Sequence, residues 1–363
     1  MTNNVGPAPD EIELSVFGPG DGEAAAIHVG DGSWILVDSC LDAKTNEPAS
    51  LDYLRSIGVE VGRDVSWLVA THAHDDHVKG LARLVKECRA AKIVVPEASS
   101  FEEFLGLSKL DGRLAFYSTR YTVYSEYRTM MNHLRGNQEL TRIVRAQAGK
   151  ELPLGASMRG DRVRIMCLAP SDAAVTMSRR ALARLWTVAS RSPGGQRVAS
   201  RDPNTFCAAV VLHIGDIALL LGGDVLVGSA NWGWRHIVGS FPYVRSIDGH
   251  KVPHHGSDSA YYATVWNDWL METCISIVTP FRSSGIPDDE DIKNMKKHGV
   301  ELWQTARSGA IKRPRDVIEA EGKLRSVTSG TVELAGGLMG QVRVRWRNGR
   351  VRVEKFGPAF QVA

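Results

Sequence analysis

What most constrains this chain is an apolar strand that runs into a cluster of metal-ligating side chains. The run "VSWLVATHAHDDHVKG", Val65 to Gly80, opens with residues suited to a buried strand. It then packs three histidines and two aspartates into the six positions His72 to His77. A helix follows, with Val78, Leu81, Leu84 and Val85 at helical spacing. Strand, loop and helix in that order make the repeating unit of a layered α/β fold. Two histidines one residue apart at a strand end, His72 and His74, project to similar sides and can grip one ion. Asp76 and His77, at the mouth of the helix, point the other way and can grip a second. Imidazole nitrogen and carboxylate oxygen are the donors zinc prefers, and a catalytic zinc keeps a position open for water. The competing reading is a solvated loop rich in histidine, which so many ligand types at this spacing disfavour.

The chain around this unit alternates in the same way. "IELSVF", "AAAIHV" and "SWILVD" read as strands of a meander parted by Gly-Asp turns. "SLDYLRSIGV" reads as a helix ending at Gly58, and "KIVVPE" as a further strand. From about Ser99 to Arg201 the pattern changes. There "SFEEFLGLSKL" and "YRTMMNHLRGNQELTRIVRAQAGK" read as helices and "DRVRIMCLAP" as a strand, and arginines outnumber acids. "CAAVVLHIGDIALLLGGD" reads as a hairpin turning at Gly215-Asp216. "SIVTPF" is a strand, and "PDDEDIKNMKKHG" a helix with Pro287 in its first turn and Gly299 as its stop. The end, "QVRVRWRNGRVRVEKF", is a strict period-two hairpin around Asn348-Gly349.

An apolar content of 43% and a charged content of 23% exclude a disordered or fibrous chain. A net charge of +3 over 363 residues is too small to argue for a nucleic-acid partner by itself. The five cysteines are scattered and never form a CxxC pair, as expected of reduced thiols in a cytoplasmic protein, with neither a disulfide framework nor a cysteine zinc site. The N-terminus has no apolar signal segment. The most apolar stretch, Phe206 to Gly228, is interrupted by His213 and Asp216, so no membrane span is expected.

Taken in order, four elements resemble the metallo-β-lactamase superfamily: Asp38 closing "SWILVD", the motif "THAHDDH", Asp224 closing "LLGGD", and His254-His255 in "KVPHHGSDS". The resemblance implies an α/β fold, the αββα four-layer sandwich. On this reading residues 1–320 form the hydrolase-like domain, with an arginine-rich, partly helical insertion at about 100–200. Residues 321–363 are a C-terminal β-hairpin extension. The resemblance also implies a dinuclear centre of zinc, or manganese, held by His72, His74, Asp76, His77, Asp224 and His255. Asp38 would brace the ligand loop and Asp224 would bridge the ions. His254 would aid the leaving oxygen and Asp76 would orient the attacking hydroxide.

"KVPHHGS" after an "LLxGD" strand is similar, more narrowly, to the metallo-β-lactamase-like domain of the competence protein ComEC and its stand-alone relatives. "VFGPGDGEAAAI", Asn204 and "VELWQTARSGAI" resemble further parts of that group. This implies a phosphodiesterase or nuclease acting on an anionic substrate, with nucleic acid or a nucleotide among the candidates and a protein partner left open. Ser257 and Lys251 are then candidate substrate contacts, or else a turn residue and a solvated lysine. The arginine-rich block, and Arg343, Arg345, Arg347, Arg350 and Arg352 along the last hairpin, could line a polyanion track or simply form solvated faces. Two departures from the family stand out. Only His133 and His213 fall in the interval where a further histidine usually joins the first ion, and neither lies in a family motif. Lys79 stands where a glycine is common. The alternatives are a hydrolase of a small ester, lactone or lactam, which would use the same ligands, and a non-catalytic module that keeps the fold.

Overall fold

The computed structural model describes residues 5–19, 22–96, 123–156, 162–191, 203–308 and 339–363. They build two eight-stranded sheets. The first runs, edge to edge, β15 (Arg350–Phe356), β14 (Gly340–Arg347), β1 (Ile12–Gly18), β2 (Ala24–His28), β3 (Trp34–Val37), β4 (Val65–Val69), β5 (Lys92–Pro96) and β6 (Ile143–Ala146). The second runs β16 (Phe360–Gln361), β13 (Glu301–Gln304), β12 (Leu270–Val278), β11 (Ile247–Lys251), β10 (Ile217–Leu221), β9 (Ala209–Ile214), β8 (Arg162–Ala169) and β7 (Glu151–Ala156).

Period-two alternation divides each strand between two apolar layers. In β3, Ile35 and Val37 join the layer between the sheets, while Trp34 and Leu36 face the outside of the first sheet. There they meet residues of the helices Ala49–Ser56, Leu81–Glu87 and Val123–Gly136. In β9, Val210 and Leu212 face inward, and Ala209 and Val211 face a third layer with the helix Trp234–Ser240 and the Trp266–Trp269 turn. The result is helix, sheet, sheet, helix, the four-layer α/β sandwich implied by the sequence. Fully burying one such Ile or Leu is worth about 1.5–3 kcal/mol, so strands apolar on both faces are held firmly between layers.

The parallel strands place the ligand loops. β3, β4 and β5 run parallel, as do β10, β11, β12 and β13. Asp38 therefore follows the end of β3, and His72 to His77 follow β4. Asp224 follows β10, His254 and His255 follow β11, and Thr279 follows β12. The Ala208 amide donates to the Thr71 carbonyl at 2.8 Å, joining the two sheets at this edge.

Three expectations change. The segment read as one helix from Tyr127 to Lys150 is a helix to Gly136 and then strand β6, parallel to β5. The β-branched pair Ile143-Val144 takes a place in the sheet that its short length hides from a periodicity reading. The block read as an insertion at 100–200 supplies β6 to the first sheet and β7 and β8 to the second. The hairpin read as an extension lies within the first sheet, with β14 antiparallel to β1 from Ile12↔Trp346 to Gly18↔Gly340. Its inner arginines are buried there. Arg345 meets Glu13 at 2.7 Å and Arg343 meets Glu354 at 3.0 Å, against the Tyr53 hydroxyl. Arg343 and Arg345 line no polyanion track. The expected helix "SFEEFLGLSKL" lies outside the described residues.

Candidate metal centre

The cluster is organised by which nitrogen each histidine turns inward. His77 is buried and its Nδ1 meets Asp38 Oδ2 at 2.8 Å. His255 sets its Nδ1 2.8 Å from the Thr279 carbonyl. His72 has its Nδ1 3.1 Å from Thr71 Oγ1, whose own hydroxyl donates to Asp38. Each of these acceptors fixes a proton on Nδ1 and leaves the Nε2 lone pair for the centre. Asp38 also accepts the Thr71 amide at 2.7 Å, so one carboxylate braces the loop it faces.

On the inner side, His77 Nε2 lies 3.3 Å from Asp224 Oδ1 and 3.5 Å from Asp76 Oδ2. His255 Nε2 lies 3.0 Å from the same Asp76 oxygen. His72 Nε2 is 2.9 Å from His74 Nδ1 and 3.6 Å from Asp224 Oδ2. Asp224 thus stands between two groups, His72 with His74 on one side and His77, His255 and Asp76 on the other. Asp224 Oδ1 and His77 Nε2 are buried with no hydrogen-bond partner among the described residues. Buried polar atoms are rarely left so, and a cation between these lone pairs would satisfy both. The residues present fit a divalent ion in each group.

The electrostatics agree. Burial alone would push the His77 imidazolium down, yet Asp224, Glu23, Asp76 and Asp38 hold its pKa well above the ordinary value. Burial would raise Asp224 and Asp76, but the neighbouring histidines hold both carboxylates below their usual range. The surroundings of His77 are thus a field that favours positive charge.

His254 and His255 both reach the centre. Each has a left-handed backbone, with φ of 46° and 55°, which turns consecutive side chains to different sides. His255 faces Asp76. His254 sets its Nδ1 2.9 Å from Ser257 Oγ, and its Nε2 3.9 Å from Asp224 Oδ2 and 3.3 Å from Asn204 Nδ2. Ser257 therefore holds a histidine. Lys251 is buried, paired with Glu23 and 3.4 Å from the Gly223 carbonyl, so it lies behind the ligands and faces no substrate. His133 bonds to Asn137, just past the end of its helix, and His213 sits near the turn end of β9 opposite Arg164, so neither joins the cluster.

Two residues here were missed in the sequence. Glu23 lies 3.5 Å from both His77 Nδ1 and His255 Nδ1 and bonds Thr279 Oγ1. It could be counted with His77, Asp224 and His255 as a donor group. The Nδ1 edges it faces are already engaged, however, and Asp76 meets the open Nε2 edges, so Asp76 is the better donor. The available signal was an acid set directly before the apolar strand "AAAI". Cys207 has its Sγ 3.5 Å from His72 Nδ1 and accepts the Asp224 amide at 3.1 Å. Gly223 makes that approach possible, since a Cβ there would come within 2.6 Å of Cys207 Sγ.

Residues 18–129 match the family model described as Metallo-beta-lactamase superfamily. No curated protein matches the chain. Among solved structures, a subclass B3 metallo-beta-lactamase from a soil metagenome library is 13% identical, covering 70% of this chain and 80% of that one at a TM-score of 0.34. The short form of human tRNase Z is 11% identical, covering 82% and 93% at 0.34. A putative metal-dependent hydrolase from Parabacteroides distasonis is 10% identical, covering 81% and 93% at 0.37. Among the described residues no helix is long and apolar enough to cross a membrane. The segment similar to this superfamily contains the strand β4 and the loop His72 to His77.

Proposed function

We propose that the protein is a metal-dependent phosphodiesterase or nuclease. The observation that carries the substrate class is a cavity of about 210 Å³ whose wall includes Asp76, Lys79 and Arg282 besides Asp75 and the apolar Leu41 and Ala43. It opens beside the metal-ligand cluster and puts two cations on its wall. Lys79, the departure from the family, is one of them. Arg282 donates to the Pro19 carbonyl, which holds its guanidinium at the wall. The charge of a phosphodiester is matched by such cations, and a neutral ester or lactone makes no use of them. The "KVPHHGS" resemblance supports the same class.

Two divalent ions, zinc or manganese, would supply Lewis acidity toward water and toward the developing oxyanion. The chain's own residues do the rest. His72 and His74 would hold one ion, and His77, His255 and Asp76 the other, with Asp224 available to either. Asp38 and the Thr279 carbonyl keep His77 and His255 in the tautomer that binds. Asp76, on the cavity wall, orients the nucleophilic water. Burial lowers the His254 pKa, so this histidine is neutral near pH 7. It can take the proton of that water at Nε2, exchanging its 3.3 Å contact with Asn204, and return the proton to the leaving oxygen.

The deciding assay offers the metal-loaded protein bis-p-nitrophenyl phosphate, labelled single- and double-stranded DNA, RNA and a chromogenic lactam, with Asp76→Ala as control. Cleavage of a phosphodiester, lost in the variant, is the expected result. Cleavage of the lactam alone would overturn the reading, and inertness toward all of them would favour a binding module.

A further inference from the structure

The ligand set of the two ions is unequal. One group has His77, His255, Asp76 and Asp224. The other has His72, His74 and Asp224, whereas Asp76 belongs to the first through its contacts with His77 and His255. Among the described residues no further imidazole falls within the donor spacing of this second group. All eleven histidines of the sequence lie among the described residues, and His28, His133, His213, His236, His250 and His298 make their contacts elsewhere. His254 does not fall within the donor spacing that unites His72, His74 and Asp224.

We infer that the side-chain oxygen of Asn204 takes the place of the missing histidine as a ligand to the ion held by His72, His74 and Asp224. Three observations converge. The Oδ1 atom of Asn204 is buried and has no hydrogen-bond partner among the described residues, and the residue borders this cluster through His254, whose Nε2 lies 3.9 Å from Asp224 Oδ2. Its Nδ2 points to His254 Nε2 at 3.3 Å, which fixes the amide with its oxygen directed elsewhere. The short turn Pro203–Phe206 that carries it leads directly into Cys207, and the Cys207 amide donates to the Asn204 carbonyl. Cys207 in turn touches His72 and the Asp224 amide, two ligands of this one ion. The backbone that positions Asn204 is therefore anchored on the group it would complete.

The chemistry differs from that of a histidine site. An amide oxygen is a hard, neutral donor, and carbonyl oxygens suit manganese and magnesium better than imidazole does. This ion is then the weaker bound and the more tolerant of manganese. The Asn204 Nδ2 contact also links its occupancy to the orientation of His254.

The inference rests on the two-ion reading, and metal binding tests both without an activity assay. Chelator-stripped protein is titrated with zinc and with manganese against a chromophoric competitor, and bound metal is counted after dialysis. Wild type should take two equivalents, the second more weakly. Asn204→Ala should weaken the second equivalent by about tenfold or more and leave the first unchanged. Asn204→Asp, which keeps the oxygen and adds charge, should bind the second at least as tightly as wild type. The cobalt(II) absorption spectrum of the second equivalent should change in Asn204→Ala. Wild type stopping at one equivalent would sink both readings. Two equivalents bound by wild type and by Asn204→Ala with equal affinity would overturn only the role of Asn204, as would an Asp variant that binds the second ion no better than Asn204→Ala. Melting temperatures of the metal-free proteins separate a ligand loss from a folding defect.

Discussion

Lys251, at the end of β11 in one sheet, pairs with Glu23, just before β2 in the other, in the closed space behind His77 and His255. Both side chains are almost fully buried. Removing one partner leaves the other charge unpaired, at a cost of about 3–5 kcal/mol. Lys251→Met should lower the stability of the metal-free protein by that order. Lys251→Met with Glu23→Gln should cost clearly less than the two single changes added together. Denaturant melts of the four proteins measure the coupling. Additive losses would mean that the pair does not act as a unit.

Asp38 works through His77. Its left-handed backbone, φ 57°, suits Asn as well as Asp, so Asp38→Asn tests the carboxylate and not the turn. The substitution should weaken metal binding by about 10–100-fold while far-ultraviolet circular dichroism stays native. Unchanged affinity would remove Asp38 from the support of the centre.

The arginines of the last hairpin should divide by burial. Arg345 is the ion partner of Glu13, which also accepts from Tyr53 and Ser15. Arg345→Met should destabilise by about 3–5 kcal/mol. Arg350→Ala, on the exposed strand, should change stability by no more than about 0.5 kcal/mol. Equal effects in thermal melts would contradict the burial of β14.

His250 gives an acid sensitivity. Burial against Trp266 pushes its pKa down to about 3. The unfolded chain binds a proton below about pH 6.5 and the folded one does not. The contribution of His250 to stability is therefore whole above that pH, and falls by about 1.4 kcal/mol per unit as pH drops toward 3. His250→Asn should flatten the slope of stability between pH 6.5 and 4. An unchanged slope would show that His250 is not its source.

The legible part of the site is the part written along single strands. His72, His74, Asp76, His77 and Asp224 each follow an apolar run, and an apolar run ending in donors shows both the strand and its ligand end; His255, after the polar strand "IDGHK", is marked only by the "KVPHHGS" resemblance. Glu23 and Cys207 were hidden because part of each one's contacts lies across the sheets, Lys251 and Thr279 for Glu23 and His72 for Cys207, and one acid or one thiol has no spacing to read. Strand β6 was hidden because four residues at a sheet edge take their conformation from β5, not from their own pattern. The alternation of β14 did show two faces. That its arginine face is the covered one follows only from Glu13 in β1 and Tyr53 on the helix Ala49–Ser56, far away in sequence.

The seven-residue register of β1 with β14 has a consequence for biosynthesis. During translation β1 emerges more than three hundred residues before its partner, as the pairing of Ile12 with Trp346 shows. Until then, one long edge of the nascent sheet lies open. Glu13, on that edge, is without its arginine. Closing such a distant contact is slow, and an open apolar edge is a template for wrong pairing. The polypeptide is thus most vulnerable to aggregation on the ribosome, and any slowing of synthesis before residue 340 prolongs that exposure.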